Sequence, residues 1–309
     1  MAQVKVATIA NDHWRVGVLP ETGGSLAFGQ VRVAGVWRDV LRPTAQGDLR
    51  TATQCASYVL VPFSNRVRDG VLRFGERTWR LRPNGKDGNA IHGTGHEFGW
   101  DVLELGGDAV TLELRTGTLV GANFPWAFTA RVRYALHGPR FTVSTELTND
   151  DAEAFPAGFG HHPFFRRGVL DPTVSEVLLR LPCELSYPLE GCLPTGPAGP
   201  VPAAQDYRRL RALAREPLVD ACLTSGEAGE PVRMEWPASG VALSMDADSV
   251  FAHRVLYVPL GADCFAVEPV TNANDGFNLL AEGTPGHGVF VLEPGAARSG
   301  DIHLDVELA

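Results

Sequence analysis

Five short clusters of polar residues stand out in a chain that otherwise alternates between apolar and polar residues. In the segment 264–272, Glu268 ends an apolar run and precedes a proline. Burial raises the pKa of a carboxyl group and makes it a usable base near neutral pH. An exposed position would instead make Glu268 an ordinary glutamate at a strand end. General acid–base catalysis is the chemistry that this cluster could support.

A second cluster, 158–165, contains the adjacent pair His161 and His162 among glycines and aromatic residues. Neighbouring side chains of a strand point to opposite faces. One imidazole could therefore face a cleft while the other is packed or solvated. Since the ordinary pKa of histidine is about 6.5, either ring could donate or accept a proton near neutrality.

Two further clusters carry groups suited to holding a polar ligand. Asn65 and Arg66 follow an apolar strand, and the guanidinium group offers a planar fork of donors. Asp220 is isolated among apolar residues in 217–222, where it needs a partner if it is buried. A solvated turn at residues 65–70 and a capping or loop role for Asp220 are the structural alternatives.

The last cluster, 91–97, has His92 and His96 four residues apart. This spacing can bind a metal on a helix face, but the intervening glycines argue against a helix. A cupin-type metal site using His92, His96 and Glu97 is one hypothesis. A sugar-contacting loop, in which Trp100 stacks or packs, is another, and ordinary surface or core histidines are the default interpretation.

The elements that must position these clusters are mainly strands. Period-2 alternation predicts a hairpin of 130–137 with 140–148 through Gly138-Pro139, and another of 100–105 with 109–115. Other predicted strands are 3–9, 15–19, 57–62, 71–74, 78–82, 157–165, 241–246, 254–258, 263–268, 288–293 and 301–308. Residues 205–215 allow one short helix, and 182–202 reads as a long ordered loop. We expect an all-β fold, a large antiparallel sandwich or barrel, in one domain spanning 1–309.

Composition excludes several classes of protein. Lys and Arg number 27 and Asp and Glu 36, and the net charge of −9 argues against a general nucleic-acid binder. The sequence contains no run of about 18 apolar residues, so we predict no membrane span. The first residues lack the apolar core of a signal peptide, and five widely spaced cysteines without a CxxC pair favour a reducing cytoplasm.

Taken in order, the five clusters resemble the aldose 1-epimerase (galactose mutarotase) family from about residue 15 to residue 297. The matching markers are Pro62-Phe-Ser-Asn-Arg66 with Gly70, His92-Gly93 followed by Trp100, His162-Pro-Phe-Phe165, Leu193-Pro-Thr-Gly196, Asp220, Glu268-Pro269 and Val291-Leu-Glu-Pro-Gly295. The resemblance implies a twisted β-supersandwich with an open sugar cleft. It also implies a small aldose as substrate, with no cofactor and no metal.

The family's site residues carry over by position. Glu268 would be the general base for the C1 hydroxyl of an aldose, and His162 would be the general acid for the ring oxygen. His162 is preferred to His161 because it immediately precedes Pro-Phe-Phe. The resemblance further implies that Asn65, Arg66, His92 and Asp220 hold sugar hydroxyls.

Alternatives remain at this stage. A noncatalytic sugar-binding or regulatory protein could use the same fold. The His92 loop lacks the arginine that often follows His-Gly in members acting on hexose 6-phosphates, yet Arg68, Arg166 and Arg167 keep a phosphorylated or otherwise anionic sugar open. A monomer and a homodimer paired through an exposed β edge are both compatible with the sequence.

Overall fold

Short strands make up most of the regular structure, as the alternation predicts. The computed structural model describes residues 4–171, 173–224 and 230–308. Up to residue 166 the strands are β1 (Ala7–Ala10), β2 (Trp14–Leu19), β3 (Ser25–Val33), β4 (Val36–Asp39), β5 (Val59–Leu60), β6 (Arg66–Val67), β7 (Val71–Phe74), β8 (Arg77–Arg80), β9 (Ala90–Ile91), β10 (Asp101–Leu105), β11 (Ala109–Arg115), β12 (Phe128–His137), β13 (Arg140–Asn149), β14 (Phe155–Ala157), β15 (Gly160–His161) and β16 (Phe164–Arg166).

The second half of the chain adds strands and one short helix. The strands are β17 (Leu178–Arg180), β18 (Leu185–Ser186), β19 (Leu189–Glu190), β20 (Leu193–Pro194), β21 (Gly199–Pro200), β22 (Arg211–Ala212), β23 (Val219–Thr224), β24 (Val232–Trp236), β25 (Val241–Ala247), β26 (His253–Val258), β27 (Cys264–Val270), β28 (Phe290–Leu292) and β29 (Ala297–Leu308). The helix is α1 (Gly276–Ala281). The 3-10 turns are Ala52–Gln54, Arg68–Gly70, Gly95–Glu97, Thr116–Thr118, Ala203–Gln205 and Pro237–Ser239. No helix in the described parts of the chain has the length and apolar character to cross a membrane.

Two large antiparallel sheets form the body of the fold. The first has nine strands in the order β10-β11-β12-β13-β29-β25-β24-β17-β22. The second follows β21-β18-β23-β26-β27-β15-β5, and β16 also pairs with β27. Strands β1 to β4 form a smaller sheet, and four two-stranded pairs complete the described ladders. The prediction of an all-β antiparallel sandwich is confirmed, and the prediction of one domain over 1–309 stays a prediction.

The inner face of the nine-stranded sheet shows how the alternation becomes a core. In β12, Phe128, Val132 and Tyr134 are buried, whereas Arg131 and Arg133 between them are exposed. Burying an apolar side chain of this kind stabilises the fold by roughly 1.5–3 kcal/mol. Because a shift of one residue would turn the whole set toward solvent, the same pattern also fixes the strand register.

Strand β27 is different, because all seven of its residues are buried. Phe265 and Val267 belong to the main core between the sheets. Ala266 belongs to a second apolar cluster that includes Tyr58 on the opposite face. Alternation along the strand places Glu268 on that opposite face with Ala266. This strand therefore links the main core to the opposite face of the sheet, which carries Glu268.

Several element predictions need correction. The short helix expected at 205–215 is wrong: β22 within that segment pairs with β17 at a sheet edge, so its backbone hydrogen bonds go to the sheet. The predicted strand 157–165 is broken into β14, β15 and β16, because Gly158 and Pro163 interrupt it. No prediction covered strands β3, β4, β6, β9, β17, β23 and β24 or helix α1, and the segment 182–202, predicted as a long loop, contains the short strands β18 to β21. Residue 3, in the predicted strand 3–9, lies outside the described residues.

The loop that carries His92 is fastened to the strand end after β5. The Val61 carbonyl accepts hydrogen bonds from the backbone N–H groups of Thr94 at 2.8 Å and Gly95 at 3.0 Å. Gly93 adopts a φ of 68°, and a Cβ atom there would collide with that same carbonyl. Only glycine combines this conformation with such a close approach.

We expect Gly93→Ala to lower the free energy of unfolding by more than about 1 kcal/mol, because it adds a clash to a left-handed conformation. Thermal or denaturant unfolding measures the change. Gly47→Ala is the control, since Gly47 has ordinary φ and open space around its Cβ position. Equal stability of the two variants would contradict this account of the loop.

Candidate active site

Polar side chains gather on the open face of the second sheet. Tyr257 of β26 lies opposite Ala266 of β27 and opposite Asp220 of β23. Directly opposite residues share a face, and so do alternate residues of one strand. Glu268, Tyr257 and Asp220 therefore project from the same face. With strands about 4.8 Å apart, β27 and β23 are separated by about 10 Å, enough to admit a small ligand.

Glu268 and His162 are in direct contact at this face. The Oε1 atom of Glu268 lies 3.1 Å from Nε2 of His162, and the two side chains are only 3% and 8% exposed. The other polar atoms of the pair, Oε2 of Glu268 and Nδ1 of His162, are buried without a hydrogen-bond partner in the described structure. Buried polar atoms are nearly always satisfied, so these two require an explanation, and a bound ligand would provide one.

Aromatic rings fix the orientation of the His162 imidazole. The Tyr58 ring stacks on it with centroids 4.8 Å apart, and the Phe164 ring lies 4.4 Å away. The Arg42 guanidinium group covers the Phe164 ring at 3.8 Å from its centroid. This packing excludes water from the imidazole and leaves it little rotational freedom.

The neighbouring His161 points into the core. Its Nε2 atom lies 2.8 Å from the hydroxyl of Thr145, which belongs to β13 of the opposing sheet. Burial lowers the pKa of His161 to about 3, so this ring is neutral at physiological pH. The strand alternation thus brings His162, and not His161, to Glu268.

Asn65 and Arg66 form a second polar group at the site. The Asn65 side-chain oxygen accepts hydrogen bonds from the Arg66 backbone N–H at 3.0 Å and from its guanidinium group at 3.2 Å. The guanidinium Nε donates to Asp87 at 2.6 Å, and the Arg66 side chain is 16% exposed. One carboxylate oxygen, from Asp87, and one amide oxygen, from Asn65, therefore hold the Arg66 guanidinium group. Its second terminal nitrogen, Nη2, has no partner among the described residues.

His92 lies between this group and the Glu268–His162 pair. The backbone N–H of Asn65 donates to His92 Nδ1 at 3.2 Å, so the proton of the neutral ring is on Nε2. The His92 ring contacts Tyr58 and His162 edge-on, with centroids 5.6 and 5.7 Å away. Burial, and after it the neighbouring His162, lowers the pKa of His92 well below its ordinary range, so a neutral donor faces the site.

Asp220 lies further along the same face. Its Oδ2 atom accepts a hydrogen bond from the Cys192 thiol at 3.2 Å. The Cys192 carbonyl in turn accepts one from the Asn274 side chain at 2.7 Å. The segment between β19 and β20 is thereby tied to the site next to Asp220. All six residues proposed from the sequence are brought to this one face and its margin.

Burial controls the protonation of Glu268 and His162. It raises the pKa of Glu268 well above the ordinary value, and the negative charge of Asp220 raises it further. It lowers the pKa of His162 to about 3, and the Arg42 charge contributes to the lowering. Both directions favour the uncharged pair in the ligand-free protein, because an isolated charge is costly in an apolar environment.

The metal hypothesis at residues 92–97 finds no support in the geometry. Within 4–171, 173–224 and 230–308, no group of three or more His, Cys, Asp and Glu side chains is arranged to hold a metal ion. Glu97 pairs with Arg82 at 2.8 Å. Trp100 is buried and donates to the Gly95 carbonyl at 2.9 Å, so it packs beneath the His92 loop instead of stacking on a ligand.

The three arginines that could have bound an anionic substituent, Arg68, Arg166 and Arg167, are each in contact with other groups of the protein. Arg68 contacts the Asp275 carboxylate at 3.2 Å, and Arg166 lies 3.6 Å from that of Asp263. Arg167 is fully buried and donates to the carbonyls of Leu213 at 3.1 Å and Ala214 at 2.8 Å. These contacts favour a structural role for each of them.

Sequence reasoning missed four residues at the site: Tyr58, Asp87, Cys192 and Tyr257. Tyr58 and Tyr257 sit in predicted strands, where an aromatic residue reads as core. Asp87 and Cys192 lie in turns that carry no motif. Only the pairing of distant strands reveals that these residues surround the pair, so no local signal could have found them.

Comparison with known proteins assigns the chain to a class of sugar epimerases. Residues 5–304 match the aldose 1-epimerase family, and the chain belongs to that family. It is 28% identical over 295 residues to the uncharacterized protein YphB of Escherichia coli (strain K12), covering 89% of this chain and 92% of YphB.

Solved structures show the same fold. A galactose mutarotase-like protein from Clostridium acetobutylicum has a TM-score of 0.84 at 20% identity and covers 98% of this chain and 95% of its own. The GalM/aldose epimerase homologue from C. elegans has a TM-score of 0.84 at 18% identity, with 99% of each chain covered. The predicted galactose mutarotase-like architecture is confirmed.

The hydrogen bond that holds His161 in the core can be tested through Thr145. We expect Thr145→Val to lower the free energy of unfolding by about 1–3 kcal/mol, because it leaves the buried His161 Nε2 without a partner. Denaturant titration measures the loss. Thr145→Ser, which keeps the hydroxyl, is the matched control, and equal stability of the two variants would show that the hydrogen bond is unimportant.

Proposed function

We propose that this protein is an aldose 1-epimerase that interconverts the α and β anomers of an aldohexose. The observation that carries the proposal is the contact between Glu268 and His162, a buried carboxyl group and imidazole 3.1 Å apart, each with one polar atom left unsatisfied. A hemiacetal opens when one proton is removed and another is supplied. Such a pair offers both functions in one place, without any covalent intermediate.

In the proposed reaction Glu268 removes the proton from the C1 hydroxyl, the C1–O5 bond breaks, and His162 donates a proton to O5. The product is the open-chain aldehyde. Rotation about C1–C2 presents the other face of the carbonyl group. The same two residues then act in reverse, returning one proton to O1 and removing the other from O5.

The uncharged resting pair is compatible with these roles. An uncharged carboxylic acid with a neutral imidazole holds the same number of protons as a carboxylate with an imidazolium. Moving one proton across the 3.1 Å contact converts the first form into the second. The base and the acid are therefore generated without uptake or release of a proton.

The remaining residues are suited to holding hydroxyl groups. The free terminal nitrogen of Arg66, the Nε2–H of His92 and the carboxylate of Asp220 supply two donors and one acceptor at separate points of the face. Asn65 fixes both Arg66 and His92 through its side chain and backbone. We therefore propose Asn65, Arg66, His92 and Asp220 as the substrate-binding residues.

Polarimetry tests the proposal directly. Freshly dissolved α-D-glucose and α-D-galactose, at neutral pH with EDTA present, should approach their usual final rotation faster when the protein is added. Glu268→Gln and His162→Asn should each lower kcat by about 10²–10⁴-fold with modest changes in KM, because each removes one proton-transfer group. Near-wild-type rates in both variants would rule out these assignments, and sugar binding without acceleration would indicate a noncatalytic protein.

The pH dependence of kcat/KM should be bell-shaped. Both of its limbs report changes in the number of protons held by the Glu268–His162 pair. On the acid side the pair gains a proton at His162, whose pKa is lowered to about 3, so activity should persist well below pH 6.5. On the alkaline side the pair loses its mobile proton at Glu268, whose pKa is raised. Stopped-flow or polarimetric rates across pH measure both limbs.

The variant Asp220→Asn tests the direction in which the alkaline limb of the pH profile moves. The negative charge of Asp220 raises the pKa of Glu268, so its removal should move the alkaline limb to lower pH. An acid limb centred near pH 6.5 in the wild type, or an alkaline limb that does not move in this variant, would contradict the buried-pair account.

A further inference from the structure

Asp87 holds one edge of the Arg66 guanidinium group and is not one of the four residues proposed to bind the substrate. Its Oδ2 atom lies 2.6 Å from Arg66 Nε. A charge-assisted hydrogen bond of this length is among the stronger polar contacts in proteins. The Asn65 side-chain oxygen accepts from Nη1 at 3.2 Å, so among the described residues only Nη2 keeps both of its N–H groups free for a ligand.

The loop between β8 and β9 has its own hydrogen bonds, which place Asp87 beside Arg66. The Gly85 N–H donates to the Asn89 carbonyl at 2.9 Å and closes the loop. The Asp87 Oδ1 atom accepts the Asn89 N–H at 3.2 Å, and the Asn89 side-chain oxygen accepts the Asp69 N–H at 2.9 Å. One oxygen of the Asp87 carboxylate therefore serves the loop, and the other serves Arg66.

The Asp87 carboxylate is charged at neutral pH and balances the charge of Arg66. Burial alone would raise the pKa of Asp87, but hydrogen bonds from Arg66 and from the Asn89 N–H hold it below the ordinary value. Asp220 adds a second negative charge on this side of the site, close enough to act on Arg66. An anionic ligand at Arg66 would therefore meet two carboxylates and one guanidinium group.

A second cation near the Glu268–His162 pair, Arg42, is held by different groups. Its Nη2 atom donates to the Cys55 carbonyl at 2.7 Å, and its guanidinium group lies over the Phe164 ring. A sugar hydroxyl needs a directed N–H donor, whereas a phosphate or carboxylate is bound through the positive charge as well. An arginine that is already paired with a carboxylate along one edge supplies the donor without the net charge.

We propose that Asp87 is a positioning residue that fixes the Arg66 guanidinium group with Nη2 toward the substrate and cancels its charge, so that the site selects uncharged aldoses over sugars with a phosphate or carboxylate group. Asp87 acts through Arg66 and takes no part in proton transfer. This inference rests on the proposed function and adds the charge class of the substrate to it.

The variant Asp87→Asn tests the proposal, because an amide keeps the shape of the side chain and removes its negative charge. Asp305→Asn is the matched control. Asp305 pairs with Arg140 at 2.8 Å in the other large sheet, and its side chain is 30% exposed, against 33% for Asp87. Rates are compared for glucose, glucose 6-phosphate and glucuronic acid, which share one ring and differ in the charge at C6.

In the wild type we expect kcat/KM for both anionic sugars to be lower than kcat/KM for glucose. Asp87→Asn should raise KM for glucose at least about threefold with little change in kcat, because Arg66 loses its fixed orientation. It should also raise the ratio of kcat/KM for each anionic sugar to that for glucose by at least about threefold, the scale of one partly screened charge at a distance of several ångströms. Asp305→Asn should change neither quantity.

A double-mutant cycle separates positioning from a structural role in the loop. If Asp87 acts through Arg66, the loss of kcat/KM for glucose in Asp87→Asn should largely disappear when Arg66→Met is already present. A loss of the same size in both backgrounds would show that Asp87 only supports the loop. Asp87→Glu keeps the charge and should keep the wild-type preference for glucose over the anionic sugars.

Other outcomes overturn the inference. Wild-type kcat/KM values for the anionic sugars that equal or exceed that for glucose, or a ratio that Asp87→Asn leaves unchanged, would exclude this role of Asp87, while turnover of glucose kept the proposed function. Acceleration of no sugar at all would instead refute the proposed function. Calorimetric binding of glucose and glucose 6-phosphate to the wild type and to Asp87→Asn then decides the inference alone, and an unchanged ratio of affinities, or no binding of either sugar, would exclude it.

Discussion

The removal of one carboxyl group and one imidazole from water, in contact with each other, is the constraint on which the site depends. Burial of a lone charge would cost several kcal/mol. The 3.1 Å contact between Glu268 and His162 avoids that cost, because a single proton can reside on either partner. The aromatic packing of Tyr58 and Phe164, and a strand that is buried on both faces, keep the pair dry. Because water is excluded, a polar ligand that binds there changes the protonation of both groups more strongly than it would in solvent.

The backbone carries part of the arrangement. Asn65 and His92, which hold each other through hydrogen bonds, both adopt left-handed conformations, with φ of 55° and 63°. Asparagine and histidine tolerate this region better than most residues, but it is still uncommon. Reciprocal hydrogen bonds across the short β6–β9 pair maintain both conformations. The donors that face the cleft are thus set by main-chain geometry as much as by residue type.

The sequence predicts the fold class and leads us to propose six site residues, for different reasons. Alternation in segments such as 130–137 and 140–148 is long enough to specify a hairpin without tertiary context. The site residues emerged because the polar clusters follow the order of a known family. Neither signal identifies Tyr257 or Cys192 as residues of the site, because their position there depends on pairing between strands far apart in the chain. The uncharged state of the pair depends on burial, and burial is a property of the assembled sheets.

The position of β29 has a consequence for how the protein is made. This strand, Ala297–Leu308, lies between β13 and β25 in the middle of the nine-stranded sheet. A ribosome releases β13 about 150 residues earlier, at which stage its free edge has no partner. The nascent chain must therefore keep two half-sheets soluble until the central strand arrives. Unpaired edges invite aggregation, so this topology makes biosynthesis depend on shielding or on charged edge residues such as Arg140 and Glu146.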